Sequence, residues 1–371
     1  MRFLIIGAGS MGTRRVRTLL SLGYSPLDIT IYDNDTKKAE EVAKKYDIWW
    51  SDVIPNLILN KFDAVIISVP PLLKQKYISM CNDAKTPCFA EADVKEYSGN
   101  YAASATMRFH PAIQKIKELL DSGALGKVYS FTHHCGNHIE DWHPGADKKT
   151  YYAMSKDAGG CKEIFPFELS WLSYLFGTPV DAKGLIDKKL DDPDISADDV
   201  YATNVKFERY PTIQEFNIGI LKISVTGTVL IDIVSRPAIR ELHIVCERGF
   251  IEWNWNDDHI SIRGAEDQDG MLFFNKGKAA EGYNANIPEQ MYIAEMENFI
   301  NSITPCCGDC KYIDPKEDHP RTTDHMCTKF NHRLMHSRYH PDFCKLNECK
   351  QYLYSREDEK ACIEMLRKVE V

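Results

Sequence analysis

The residues whose types and spacing could do chemistry fall into three groups. The first is Gly7-Ala8-Gly9-Ser10-Met11-Gly12, which follows the β-branched and aromatic run Arg2–Ile6 and precedes a helical pattern through Arg14, Val16, Leu19 and Leu20. Strand, glycine turn and helix in that order cradle a pyrophosphate: backbone amides and the positive end of the helix meet the anion. Gly7 permits the tight turn, Gly9 lets the backbone approach the phosphates, and Gly12 lets helix pack on strand. A second run, Asp28–Tyr32, ends at Asp33, twenty-one residues after Gly12. A carboxylate there accepts from both ribose hydroxyls of an adenosine and repels a 2′-phosphate, which favours NAD over NADP. Lys37 and Lys38 are expected on the exposed face of the next helix.

A dinucleotide of this kind accepts or gives hydride, so the second group is made of residues that could handle a proton. Candidates are His143, Lys156, Glu163, Lys162 and Glu168, with Lys95 further off. His143 stands in Asp141-Trp142-His143-Pro144, where Trp142 offers an apolar wall for a sugar ring. Lys156 precedes Asp157-Ala158-Gly159-Gly160 and could bind a hydroxyl or phosphate; a plain surface lysine fits as well. Glu163 and Glu168 are five apart, about 140° around a helix, so at most one points at the nicotinamide. Arg108 opens a helix and could anchor cofactor or substrate, or cap a seam between domains.

The third group is the tail. Six of twelve cysteines and five of twelve histidines lie between Cys306 and Cys349. Cys307 and Cys310 form one chelating corner, and Cys327, Cys344 and Cys349 could complete a tetrahedral site that suits zinc, with iron–sulfur as the second choice. The segment has too little apolar content to fold by burial alone, which a structural zinc would offset. Incidental cysteines on an unmetallated loop are the competing reading, since no second C-x-x-C is present.

The positioning elements alternate. Helix Thr36–Tyr46, strand Phe62–Val69, a helix from Pro70-Pro71 to Ala84 and strand Pro87–Ala90 predict a parallel sheet with ligands at the carboxyl ends, where Ser68, Pro70 and Glu91 stand. Strands at Lys127–His134, Tyr201–Phe207, Ile220–Thr226, Val229–Ile233, Leu242–Cys246 and Gly249–Trp255, with turn glycines at 227 and 249, predict an open, mainly antiparallel sheet. Trp253 and Trp255 give one strand an aromatic face suited to packing. The fold class is therefore α/β: a Rossmann-type parallel sheet followed by an α+β domain. The expected division is 1–108 for the dinucleotide, 109–303 for substrate and oligomer contact, 304–350 for the Cys/His insert and 351–371 for a closing helix. A net charge of −9 without a basic block argues against nucleic acid. No apolar stretch is long enough to span a bilayer, and the first one is too short for a signal peptide, so a cytoplasmic location is expected.

With these motifs in order, the chain resembles the glucose–fructose oxidoreductase, inositol dehydrogenase and rhizopine-catabolism (Gfo/Idh/MocA) family over residues 1 to about 300. The resemblance is carried by GAGSMG at 7–12, AVIISVP at 64–70, FAEAD at 89–93, TMRFHPAIQKIKELLDSGALGKV at 106–128, DWHP at 141–144 and GG with FELSWLSYLFG at 159–177. It implies an NAD(P)-dependent oxidoreductase, a sugar or sugar-nucleotide substrate and a homo-oligomer formed through the open sheet. Two family signatures are altered. The lysine after the strand-end glutamate is Ala92 here, and the aspartate and histidine of the second domain fall on Glu163 and Phe167, so the proton relay must differ. The short segment from Ala92 to Ala105 reads as a loop over the site mouth. A silent NAD- or sugar-binding protein, and a reductase of a C=C or C=N bond, are the alternatives.

Overall fold

A computed structural model describes residues 1–53, 59–142, 147–149, 151–209, 223–264, 269–274, 289–303, 325–327, 332–334 and 354–370. The chain forms two compact units, Met1–Ile293 with Tyr354–Val371, and Ala294–Leu353.

Within the first unit, β1 (Phe3–Ile6), α1 (Ser10–Ser21), β2 (Ile29–Tyr32), α2 (Thr36–Tyr46), β3 (Trp49–Ser51), β4 (Ala64–Ile67), α3 (Pro71–Asp83), β5 (Cys88–Ala90) and β6 (Ala102–Ala103) follow in order. The strands pair in parallel in the order β3-β2-β1-β4-β5-β6. β1 and β4 are buried at every residue, which is why they read as unbroken apolar runs and not as alternation. Ile6 pairs with Tyr32 and with Ile67, and Ile67 with Ala90. The next residues, Gly7, Asp33, Ser68 and Glu91, therefore emerge side by side along one rim. The order reverses between β1 and β4, the crevice where such sheets hold ligands. β3 escaped the sequence reading because it is a short edge strand whose two tryptophans are exposed.

Residues 92–101 form a loop, as expected from their turn chemistry, and only the two-residue β6 closes the sheet. Side-chain amides of α3 pin it: Asn82 bonds the backbone of Asn100 through both its oxygen (2.7 Å) and nitrogen (3.1 Å), and Gln75 does the same for Ser98 (2.8 and 3.1 Å).

The second sheet has eight strands. After α4 (Pro111–Asp121) come β7 (Val128–Gly136), α5 (Cys161–Phe176), β8 (Thr178–Asp187), β9 (Val200–Arg209), β10 (Ile223–Asp232), β11 (Ile239–Cys246), β12 (Gly249–Asn254), β13 (His259–Arg263) and β14 (Gly270–Phe273). Their order is β14-β13-β12-β11-β7-β10-β9-β8, antiparallel except for the β7–β10 pair. One expectation is corrected here. The strands read at Ile220–Thr226 and Val229–Ile233 are one strand, β10, and Gly227 lies in its middle instead of in a turn (residues 220–222 are outside the described set). A Cβ at Gly227 would stand 2.4 Å from the Phe131 ring, so the glycine makes room for an aromatic on the neighbouring strand. Phe131 in turn stacks on Phe176 at 4.4 Å and meets Phe207 edge-on. β8, β13 and β14 are strands the sequence pattern does not announce; in β8 a register shift between Pro179 and Asp181 breaks the alternation.

The aromatic face expected of Trp253 and Trp255 is packing: Trp253 meets Trp171 of α5 at 5.8 Å, and Trp255 meets His110 at 5.1 Å. The helix α6 (Gln290–Ile303) begins where a helix was expected, and α7 (Arg356–Val369) closes the unit with Ser355 accepting from the Asp358 amide as N-cap. In the second unit the backbone pairs β15 (His325–Cys327) with β16 (His332–Leu334).

Candidate active site

A cleft of about 320 Å³ opens at the carboxyl ends of β1, β2 and β4, lined among others by Gly7, Gly9, Asp33, Lys38, Ser68 and Pro70. The three motif glycines have different reasons to be glycine. Gly7 has φ +108°, and a Cβ there would lie 2.4 Å from the Ser68 carbonyl; one at Gly12 would lie 1.8 Å from the Gly7 carbonyl. Both are demanded by the fold. A Cβ at Gly9 would meet nothing within 4 Å, so the chain itself has no need of this glycine, and its bare backbone faces the cleft. Asp33 accepts from the Ala8 amide at 2.7 Å and from the Asp35 amide at 2.9 Å, which fixes its carboxylate on the rim. Ser10 and Met11 start α1, and the Met11 sulfur is 3.8 Å from an Arg14 nitrogen. The residues fit a dinucleotide: turn glycines, a helix start and a ribose-height carboxylate converge on one cleft.

Glu91 does not face the cleft freely. Arg15 of α1 grips both its oxygens (2.7 and 2.8 Å), and Ser68 donates to it at 3.1 Å. Burial would raise this carboxyl, but Arg15 and Lys74 hold it below the ordinary carboxylate range. Its role is to tie α1 to the strand ends.

Beyond this rim lies a second polar cluster. Tyr152 donates to Glu163 Oε1 at 2.8 Å, whereas Glu163 Oε2 is buried and has no hydrogen-bond partner among the described residues. Burial raises the Glu163 carboxyl to about 7, against the pull of Tyr152 and Lys74 and with a push from Asp93. Lys74 and Asp93 were not singled out in the sequence. Lys74 is buried on α3 and donates to the carbonyls of Glu91 (3.0 Å) and Ala92 (2.8 Å) while pairing with Asp93 at 2.9 Å. The Tyr97 hydroxyl, with one proton to give, lies 2.5 Å from both Asp93 Oδ2 and the Pro71 carbonyl. An ammonium thus reaches the turn after β5 although position 92 is alanine. Only the fold brings residues 74, 93, 97, 152 and 163 together; a lysine on the helical face of α3 that carries Tyr77, Ile78 and Cys81 was the one available signal for Lys74.

The other expected site residues are placed elsewhere. Glu168, fully buried, accepts from His133 (2.9 Å), Trp171 (2.8 Å) and Arg240 (2.6 Å), so both oxygens are used inside the second sheet's core. Burial disfavours its charge, but Arg240 and His133 overcome that and hold it at about 2. Arg108 is buried too, bonded to the Ser170 carbonyl (2.6 Å) and the Ser173 hydroxyl (2.8 Å), with its guanidinium 4.4 Å from the Tyr354 ring centre. It also pairs with Asp358 at 3.3 Å, so Arg108 joins α5 to the C-terminal helix. The Trp142 indole donates to the Asn137 carbonyl at 3.1 Å, and Lys156 has an exposed side chain. His143, Cys307, Cys310 and Cys344 lie outside the described residues, as does the side chain of Cys327. Among the described residues no group of His, Cys, Asp or Glu could hold a metal, and no helix is long and apolar enough to cross a membrane.

Comparison with known proteins agrees with this geometry. The family description "Oxidoreductase family, NAD-binding Rossmann fold" matches residues 1–92, and "GFO/IDH/MocA C-terminal domain" matches residues 113–252. No curated protein sequence matches the chain. Similar solved structures include levoglucosan dehydrogenase in complex with NADH and L-sorbose (TM-score 0.64, 16% identity, 82% of this chain and 89% of that one). An oxidoreductase from Agrobacterium radiobacter in complex with NAD+, L-tartaric acid and magnesium has a TM-score of 0.67 at 13% identity, over 100% and 95% of the two chains. UDP-N-acetylglucosamine 3-dehydrogenase GnnA from Acidithiobacillus ferrooxidans has 0.59 at 16% identity, over 82% and 88%. At these identities the likeness is one of fold. Two family profiles that together span more than half the residues, and in the right order, decide the matter: the chain belongs to the GFO/IDH/MocA oxidoreductase family.

Proposed function

We propose that this protein is an NAD-dependent oxidoreductase acting on a CH–OH group of a sugar or sugar-nucleotide, with Glu163 as the base. The observation that carries the reading is the asymmetry of Glu163: one oxygen held by Tyr152, the other buried and open. A carboxyl tuned to about 7 takes a proton from an alcohol, or returns one, near neutral pH. Asp33 and the bare backbone at Gly9 would hold the adenosine and pyrophosphate, and Pro70 and Ser68 stand toward the nicotinamide half. A bound NAD would supply the hydride acceptor; Glu163 takes the hydroxyl proton, and Tyr152 keeps the carboxylate oriented. The carbohydrate class is supported by sugar-acting proteins of the same fold. A cytoplasmic location, a homo-oligomer, a domain boundary near residue 108 and zinc on Cys307, Cys310, Cys327 and Cys344 belong to the same proposal. Metal analysis of the full chain against one ending near Ser302 tests the last of these.

The binding-protein reading is favoured by one feature: Phe167 and Ala92 stand where the family carries an imidazole and a lysine. Calorimetry with NAD and NADH, followed by a panel of sugars and sugar-nucleotides read at 340 nm, separates the two. Turnover supports the enzyme; tight NAD binding with no turnover in either direction supports the binding protein. Consumption of NADH by an enone or imine, with no alcohol oxidised, marks a reductase.

A further inference from the structure

The cluster around Glu163 holds two carboxylates, and the hydrogen bonds sort them. Both oxygens of Asp93 are engaged: its Oδ1 accepts from the Val94 amide at 2.6 Å, and its Oδ2 meets the Tyr97 hydroxyl and the Lys74 ammonium. Neither of its oxygens is left without a partner, as Glu163 Oε2 is. Lys74, 2% exposed, donates to two carbonyls and forms an ion pair with Asp93. Burying an ammonium is costly, and neutral donors could hold two carbonyls more cheaply. What a neutral donor could not do is offset Asp93 beside Glu163. No ion pair reaches Glu163 among the described residues, and its Oε2 stays open.

We propose that Lys74 is a positioning residue for the acid–base chemistry: from α3 it locks the turn after β5 and offsets Asp93, leaving Glu163 as the one carboxylate free to exchange a proton. The proposal rests on the reading of Glu163 as the base. The groups facing Glu163 are Lys74 from α3, Asp93 from the loop after β5, and the phenols of Tyr151 and Tyr152, whose ionisation burial pushes upward. Removing the cation would leave Glu163 beside a bare anion and raise its titration midpoint. Removing the anion would release the cation's field and lower it.

The test follows the Glu163 carboxyl directly, by carbon-13 NMR of glutamate-labelled full-length protein, with the signal identified by its loss in Glu163→Gln. Expected is a midpoint near 7 that moves up by about one unit in Lys74→Met and down by about one in Asp93→Asn, while Lys74→Arg stays close to the parent. The acid limb of kcat/KM should move in the same two directions. Midpoints that stay put in both variants overturn the proposal, since a purely structural lysine would lower stability and leave the titration alone. If Lys74→Met fails to fold, the Asp93→Asn shift against Lys74→Arg decides. Should no substrate be turned over, the NMR shifts still judge Lys74, so the failure of the enzymatic reading is seen separately.

Discussion

In the proposed reading the chemistry turns on Glu163 and Asp33, and each makes its own prediction. Because burial lifts the Glu163 carboxyl to about 7, the basic form accumulates as pH rises through that value. Oxidation measured as kcat/KM should therefore climb about tenfold per pH unit below 7 and level off above it. Glu163→Gln keeps the Tyr152 contact but cannot take a proton. Its kcat should fall by about 10² to 10⁴ while NAD affinity by calorimetry is unchanged. Asp33→Asn retains an oxygen for the Ala8 amide but loses the charge offered to the ribose. NAD should bind about tenfold more weakly, and the preference over NADP should narrow. An unchanged preference in competition titrations would remove Asp33 from the cofactor site.

At the level of elements, the buried Glu168 joins α5 to β7 through His133 and to β11 through Arg240. Its folded pKa, about 2, is below the unfolded value of about 4.3, so it stabilises the fold above the unfolded value. That contribution, on the order of 3 kcal/mol, is lost as pH falls from about 5 toward 2. Chemical denaturation across that window should show the parent losing stability more steeply than Glu168→Gln, which starts lower. A separate prediction concerns β10. Gly227→Ala would press a methyl into the Phe131 ring and cost about 1–3 kcal/mol, read as a lower urea midpoint with the slope unchanged. The loop after β5 is held from α7: Arg356 donates to the Tyr97 carbonyl at 2.6 Å and lies 3.6 Å from the Tyr101 ring centre, while Tyr101 donates to Glu359 at 2.9 Å. Arg356→Ala should speed amide exchange over residues 93–101, the loop that carries Asp93, before it affects the β1–β4 core.

For the whole molecule, the first unit contains both sheets, the dinucleotide cleft and the Glu163 cluster. A ligand that binds only the folded cleft stabilises it by about 2.7 kcal/mol at a hundred times its Kd. Saturating NAD should therefore raise the melting temperature of the parent and do so less for Asp33→Asn at the same concentration.

What could be read from the chain alone was whatever local spacing encodes. The βαβ unit, its glycines and Asp33 lie within one stretch of sequence, and the apolar runs of β1 and β4 declare a sheet covered on both faces. The departures at Ala92 and Phe167 were equally legible, and they pointed to a changed proton path without supplying it. The tertiary structure decided the rest because a charge's role depends on what is buried beside it. Glu163 and Glu168 are five residues apart on one helix, yet one keeps an open oxygen and is lifted to about 7, while the other is enclosed by three donors and held at about 2. Arg108 read equally as a ligand anchor or a seam cap, and the fold bonds it to α5 and Asp358; Lys74 looked like one more lysine of a helix until the fold placed it against Ala92 and Asp93. Desolvation and Coulomb forces act between neighbours in space, and no spacing along the sequence lists those neighbours.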